Sequence, residues 1–286
     1  MSIRACSSSV FIVAVSIVIL TGCVTTKPIN EMAFPLENTD VKIDATQKEI
    51  ETEVSATNPA AAGGGLLGVF IVHAIDSTKN RRAEDAVSSL RDALVDVSIA
   101  ESFSSRIIES GLTTALTRLE PEVLFDIPDE NYVHERNFIE IHPSVRISND
   151  LSDLLVSLEL TEYELNGKGE PFRSGFFQSY TFVHPMQEPE NDNDRDAFAN
   201  SWLALGTEAK QDLIFKGMDA TIEAAGSHVA DAGWTIAENT RYRIPDYTGP
   251  RRYFLWRNTE NMRWLVPNAR SNQVIITHRD HIVRVR

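Results

Sequence analysis

The hydrophobic period of this chain changes three times, and those changes restrict the fold to helices layered on a sheet. Ala83, Ala86, Val87, Leu90, Leu94 and Val97 recur at helical spacing, as do Phe103, Ile107, Ile108, Leu112, Ala115, Leu116 and Leu119. Spacings of three and four residues collect apolar side chains on one helical face, so two consecutive amphipathic helices are expected. The period then becomes two: Leu154, Val156, Leu158 and Leu160 alternate in a strand that runs to Leu165, because successive strand side chains point to opposite faces. Short strands are expected at Phe138 to His142 and Val145 to Ser148, and a longer one at Phe172 to His184. Asn166-Gly167 favours a hairpin, although Lys168, Gly169 and Pro171 point to a looser loop. A helix follows through Trp202, Leu205, Leu213, Phe215, Met218, Ile222, Ala225 and Val229 to about Ala232, with Gly233 placed to stop it. From Thr240 onward, short apolar runs are separated by turn residues: Tyr242 to Ile244, Tyr253 to Arg257, Met262 to Val266, Val274 to His278 and Ile282 to Val285. The expected fold class is therefore α+β, with helices packed on an antiparallel sheet and a small all-β module at the C-terminus.

The N-terminus specifies an address. Arg4 precedes a run from Val10 to Leu20, apolar but for Ser16, and the run ends in Leu20-Thr21-Gly22-Cys23. A cation, a short apolar core and small residues before a cleavage point define an export signal. Eleven residues at about 1.5 Å each make a helix of roughly 16 Å, about half of a ~30 Å hydrocarbon core, so the run is too short for a transmembrane anchor. The segment resembles the lipobox of bacterial lipoproteins. That resemblance implies removal of residues 1–22 and lipidation of Cys23, with palmitate among the acyl chains. Two or more acyl chains hold a protein stably on a membrane. In enterobacterial lipoproteins an aspartate after the lipidated cysteine directs retention in the inner membrane. Val24 stands there instead, which implies an outer-membrane lipoprotein whose body faces the periplasm.

Residues 23–59, rich in Thr, Glu, Asn and Asp and interrupted by Pro28, Pro35 and Pro59, show no sustained period apart from Val41 to Ile43. They are expected to form a lipidated N-terminus and a flexible tether. Residues 60–233 would form the α+β domain, which begins with an apolar block from Ala60 to Ile75 carrying Gly63, Gly64, Gly65 and Gly68. Those glycines suit close helix packing, in the core or, over 63–75, in self-association. Residues 234–286 would form the C-terminal module.

Charge divides the chain sharply. Loss of Arg4 with the signal leaves 26 Lys+Arg against 41 Asp+Glu, a balance of about −15, which excludes unaided nucleic-acid binding. Between Trp234 and Arg286, however, ten arginines and no lysine oppose four acids, a balance of +6. Arg251, Arg252, Tyr253, Trp256, Arg257, Arg263 and Trp264 combine arginine with aromatic rings, a mixture enriched at protein interfaces and suited to carboxylate and phosphate groups. They are candidates for binding an envelope protein or an anionic envelope surface; the competing expectation is docking on the acidic body of the same chain.

Chemistry beyond binding finds little support. Cys6 leaves with the signal and Cys23 carries lipid, so no thiol remains for a disulfide, redox motif or zinc site. Asp192, Asp194 and Asp196 resemble the start of a calcium loop, but Ala197 replaces its glycine and Leu203 its bidentate glutamate. His278 and His281 could oppose each other across a tight turn and hold a metal, but neither Gly nor Asn lies between them to make that turn easy; His73, His134, His142, His184 and His228 are scattered. No nucleophile elbow, phosphate loop or zinc-protease motif is present. No catalytic residue, metal or cofactor is assigned. The expected role is non-catalytic envelope assembly, structure or interaction, and the rival is a periplasmic hydrolase acting on an envelope polymer.

Overall fold

The computed structural model describes residues 34–47, 50–52, 85–86, 88–92, 98–128, 132–148, 151–186, 195–231, 236, 238–245, 247, 252–268 and 271–285. The signal peptide, Cys23, the apolar block 60–75, Asp192, Asp194 and Arg251 lie outside the described residues.

The strands are β1 (Asp40–Asp44), β2 (Glu51–Thr52), β3 (Glu122–Leu124), β4 (Phe138–Ile147), β5 (Asp153–Leu165), β6 (Pro171–Pro185), β7 (Glu238–Arg243), β8 (Tyr253–Asn258), β9 (Met262–Val266), β10 (Gln273–His278) and β11 (Val283–Val285). All belong to one sheet in the order β11-β7-β8-β9-β10-β6-β5-β4-β1-β3, with β2 also pairing β4. The helices are α1 (Ile99–Glu109), α2 (Leu112–Leu116), α3 (Arg195–Ala204) and α4 (Thr207–Ala230). Residues 85–92 are also helical where described. Helix and sheet thus coexist around a large, mostly antiparallel sheet.

The alternation in β5 sets the core. Leu154, Val156, Leu158 and Leu160 are fully buried and share one cluster with Val41, Ile43, Ile139, Ile141, Phe182, Ile276, Trp264 and the helices. α4 lies across β5 and β6 and turns Ile214, Gly217, Met218, Ala224 and Ala225 inward. Small residues let it approach closely: a Cβ at Gly217 would fall 2.6 Å from Val156 Cγ2. The opposite face carries a second cluster, Leu155, Val183, Ile244, Tyr253, Leu255, Leu265 and Ile275, with Tyr242, Tyr247 and Ile282 packed on it. The C-terminal half of the sheet is therefore apolar on both sides.

Several elements differ from the sequence expectation for physical reasons. The stripe from Phe103 to Leu119 breaks into α1 and α2 at Gly111, whose φ of 76° lies in the left-handed region that glycine reaches without a side-chain clash. The helix through Trp202 divides at Leu205–Gly206, where Gly206 is the extended N-cap of α4. The hairpin loop is indeed looser than a two-residue turn: Asn166 Oδ1 accepts from the N–H groups of Lys168 and Glu170, and Gly169 has φ 80°.

The two short strands expected at Phe138 to His142 and Val145 to Ser148 are one strand, β4, paired with β5 from Phe138 to Ile147. Pro143 interrupts only the other edge. β1 pairs β4 as far as Ile141, and β2 resumes at Arg146. A proline cannot donate to a ladder, and the gap beside it is filled by Gln47, whose Oε1 accepts from Val145 N and whose Nε2 donates to Val145 O, both at 2.8 Å. The side-chain amide takes the place of a strand peptide. The tether expected over 23–59 is shortened accordingly, because Asp40–Asp44 is a strand inside the sheet between β4 and β3. Likewise, residues expected as a C-terminal module hydrogen-bond directly into the main sheet: β10 pairs β6 in parallel from Gln273↔Ser179 to Ile276↔Phe182.

Candidate functional site

The Arg/aromatic residues of the C-terminal strands separate into a buried and an exposed set. Alternation along β8 and β9 sends Trp256 and Trp264 into the helix-covered core, where their rings lie 5.2 Å apart, while Tyr253 enters the opposite cluster. Tyr253 and Trp264 are fully buried. Arg263 is buried as well, and its Nη1 donates to the carbonyls of Thr259 and Met262 at 3.0 and 3.1 Å, which locks the turn between β8 and β9. These four side chains therefore face the interior and not a partner. Arg257 is exposed and its guanidinium lies 5.2 Å from the Trp264 ring.

What remains outside is arginine. Arg241, Arg243, Arg252, Arg257, Arg279 and Arg284 are exposed. Tyr242 pairs with Tyr253 and with Arg284, so β7, β8 and β11 bring Arg241, Arg243, Arg252 and Arg284 onto one end of the sheet. Among the described residues, none of these six forms an ion pair with a carboxylate. The sequence signal that separates the two sets is the strand period: Trp256 and Trp264 fall on core-facing positions, whereas Arg257, at the end of β8, points out and Arg263 is drawn into the β8–β9 turn.

A second polar grouping lies at the other end of the sheet, and sequence reasoning missed it. In β1, Val41 and Ile43 face the core, so Lys42 and Asp44 face the opposite side. Lys42 is buried, bonded to Tyr132 Oη and paired with Glu122 at 2.9 Å. Burial opposes its charge, but the bonds to Tyr132 and Glu122 outweigh that and raise its pKa, so it stays a cation. Asp44 accepts from Thr46 Oγ1 at 2.6 Å and meets His142 Nδ1 at 2.8 Å. Burial pushes the Asp44 carboxyl up, yet His142 and Thr46 bring it net below its usual value; the same bond raises the His142 pKa. Glu140, on the same side of β4, is raised by burial and then by the charge of Asp44. The alternation of two charges with Val41 and Ile43 inside an otherwise unpatterned stretch was the available signal.

A carboxylate-oriented imidazole is one half of a general-base device. The other half is missing at hydrogen-bond distance, because no hydroxyl among the described residues bonds to His142. The remaining histidines are placed differently. His228 is buried in α4 and its Nδ1 meets Tyr180 Oη at 2.8 Å. His134 stacks on Phe138 at 4.3 Å. His278 and His281 do not oppose each other across a hairpin, because residues 279–281 form a 3-10 turn; His184 joins them. Asp196 belongs to the first turn of α3.

No family model and no curated protein matches the chain. Among solved structures, it is similar to an uncharacterized protein at 10% identity, covering 65% of this chain and 95% of that one with a TM-score of 0.17. It is also similar to a Xanthomonas campestris protein of the DUF330 family at 12% identity, covering 72% and 96% with a TM-score of 0.18. At those scores neither likeness carries an argument about fold or role.

Proposed function

We propose that the chain is a lipoprotein anchored through Cys23 to the outer membrane, with a periplasmic body that serves a non-catalytic assembly or interaction role. The observation that carries the interaction role is the group of exposed arginines on β7, β8 and β11, none paired with a carboxylate among the described residues, on a chain whose remainder is strongly acidic. Guanidinium forks without a carboxylate partner among the described residues suit carboxylate or phosphate groups of a partner. Docking of these side chains on the described acidic residues of the same chain would have produced ion pairs.

The experiment is a pull-down from envelope fractions with wild type and with Arg251, Arg252 and Arg257 changed to Glu. Loss of partners at unchanged thermal stability supports the role. Unchanged partners at unchanged stability remove these arginines from it. The hydrolase reading keeps one specific support, the Asp44–His142 pair. It requires His142→Ala to abolish turnover of an envelope polymer by the purified protein, and it fails if wild type shows no turnover.

A further inference from the structure

We propose that His184, His278 and His281 form a site for a divalent transition-metal ion, held by three imidazoles at the end of the β6–β10 pair. The last registered pair of those parallel strands is Ile276↔Phe182. Two residues further, on the same helix-covered side, His278 comes beside His184. The 3-10 turn Arg279–His281 then folds the chain back, fixed by Arg279 N–H on Asn261 O at 3.0 Å, and presents a third ring.

The rings form a nearly equilateral triangle, with centroids 5.7 Å apart for His184–His278 and 5.5 Å for both His184–His281 and His278–His281. An ion bound at about 2.0–2.1 Å to an imidazole nitrogen stands roughly 3.2 Å from the ring centroid, so three such ligands place their centroids about 5.2–5.5 Å apart. The triangle therefore has the size of a three-histidine site. Its rings stand 69–82° to one another, and no cage of three donors is ready-made among the described residues. Closing it requires rotation about the Cβ–Cγ bonds, which are soft, broad torsions. That rotation leaves the centroids nearly in place, because they lie close to its axis.

Packing alone does not account for the group. Nδ1 of His184 and of His281 are buried without a hydrogen-bond partner, a condition that folded proteins avoid. All three rings are held below the usual imidazole range, His184 at about 4: first by burial, then by the neighbouring imidazoles for His184 and His281, and by Lys216 for His278 and, less, His184. The neutral imidazole is the form that binds metal. Lys216 is itself paired with Asp212 at 2.7 Å, and Asp280 adds a carboxylate charge near His278 and His281. Imidazole donors without thiolate suit Zn2+, Cu2+ or Ni2+ over Mg2+ or Ca2+.

The test is calorimetric titration of the chelator-treated full chain with Zn2+, repeated for His184→Ala, His278→Phe and His281→Ala, with His142→Ala as control. His278→Phe keeps an aromatic ring in the packing, and metal-free melting curves confirm that each variant is folded. The expected result is one Zn2+ per chain, at least a tenfold loss of affinity in each of the three variants, no change in His142→Ala, and a melting temperature that Zn2+ raises in wild type but not in His278→Phe. Absence of stoichiometric binding in wild type overturns the proposal, as does binding that survives in folded His184→Ala and His278→Phe.

Discussion

Gly217 and Gly226 sit nine residues apart on α4 and provide a matched test of how closely that helix is seated on the sheet. A methyl at Gly217 would lie 2.6 Å from Val156 Cγ2 and 2.8 Å from Phe182 Cδ1, whereas a methyl at Gly226 would meet nothing within 4 Å. Carbon atoms pack at about 3.5–4.0 Å, so the helix or its neighbours must yield by roughly 1 Å. Overpacking of that kind costs about 1–3 kcal/mol. Both substitutions to Ala gain the same helical preference, up to about 1 kcal/mol. Gly226→Ala is therefore expected to stabilise slightly, and Gly217→Ala to fall below it by about 1–3 kcal/mol, the overpacking alone. For a chain of this size that difference is a melting-temperature gap of roughly 2–12 °C, from about 2–4 °C per kcal/mol. Urea denaturation and thermal melts followed by circular dichroism measure it. Equal stability of the two variants, or Gly217→Ala the more stable, would refute the close seating of α4 on Val156 and Phe182.

Other perturbations have equally direct outcomes. Burial holds His228 at about 3 against 6.5 for a free imidazole; both folded and unfolded chains are neutral there above pH 6.5, and only the unfolded chain takes the proton between 6.5 and 3. Stability therefore declines as pH is lowered, by about 2 kcal/mol at pH 5 from this group, and His228→Gln should lose less between pH 7.5 and pH 5 than wild type in urea titrations. Gln47→Ala leaves Val145 N–H and C=O without their partner beside Pro143 and should cost about 1–3 kcal/mol in the same assay; an unchanged midpoint would show that the amide does not support the ladder. Trp202→Phe removes the 2.8 Å bond to Leu151 O and should cost about 1–3 kcal/mol by thermal melt. Cys23→Ser should move the protein from the membrane pellet to the soluble fraction, and continued sedimentation would end the lipoprotein assignment.

Local pattern revealed most of the strands and little of how they are ordered. Leu154 to Leu160 and the five C-terminal runs each carry their own alternation, and β5, β9 and β10 lie close to where that alternation places them. Helix ends were less legible, since Gly111 and Gly206 break apolar stripes that continue on both sides of them. The pairing of β10 with β6 joins residues about ninety positions apart, and no local period encodes such a partner. The same holds for the polar groups. Asp44 and His142 are 98 positions apart, and His184 meets His278 only because two distant strands run in parallel. For Tyr253, Trp256 and Trp264, composition suggested a surface and alternation specified the core.

The central position of β10 has a temporal consequence. Chain synthesis delivers β6 long before residues 273–278 exist, so one flank of a 15-residue strand waits while about ninety further residues are made. A product cut short just before residue 273 would retain the helices, β5 and β6, yet present an unsealed row of amide and carbonyl groups beside Phe182. Such a margin recruits other chains. Late truncations should consequently be sticky and protease-sensitive, while losses confined to β11, at the rim, should be borne with little harm.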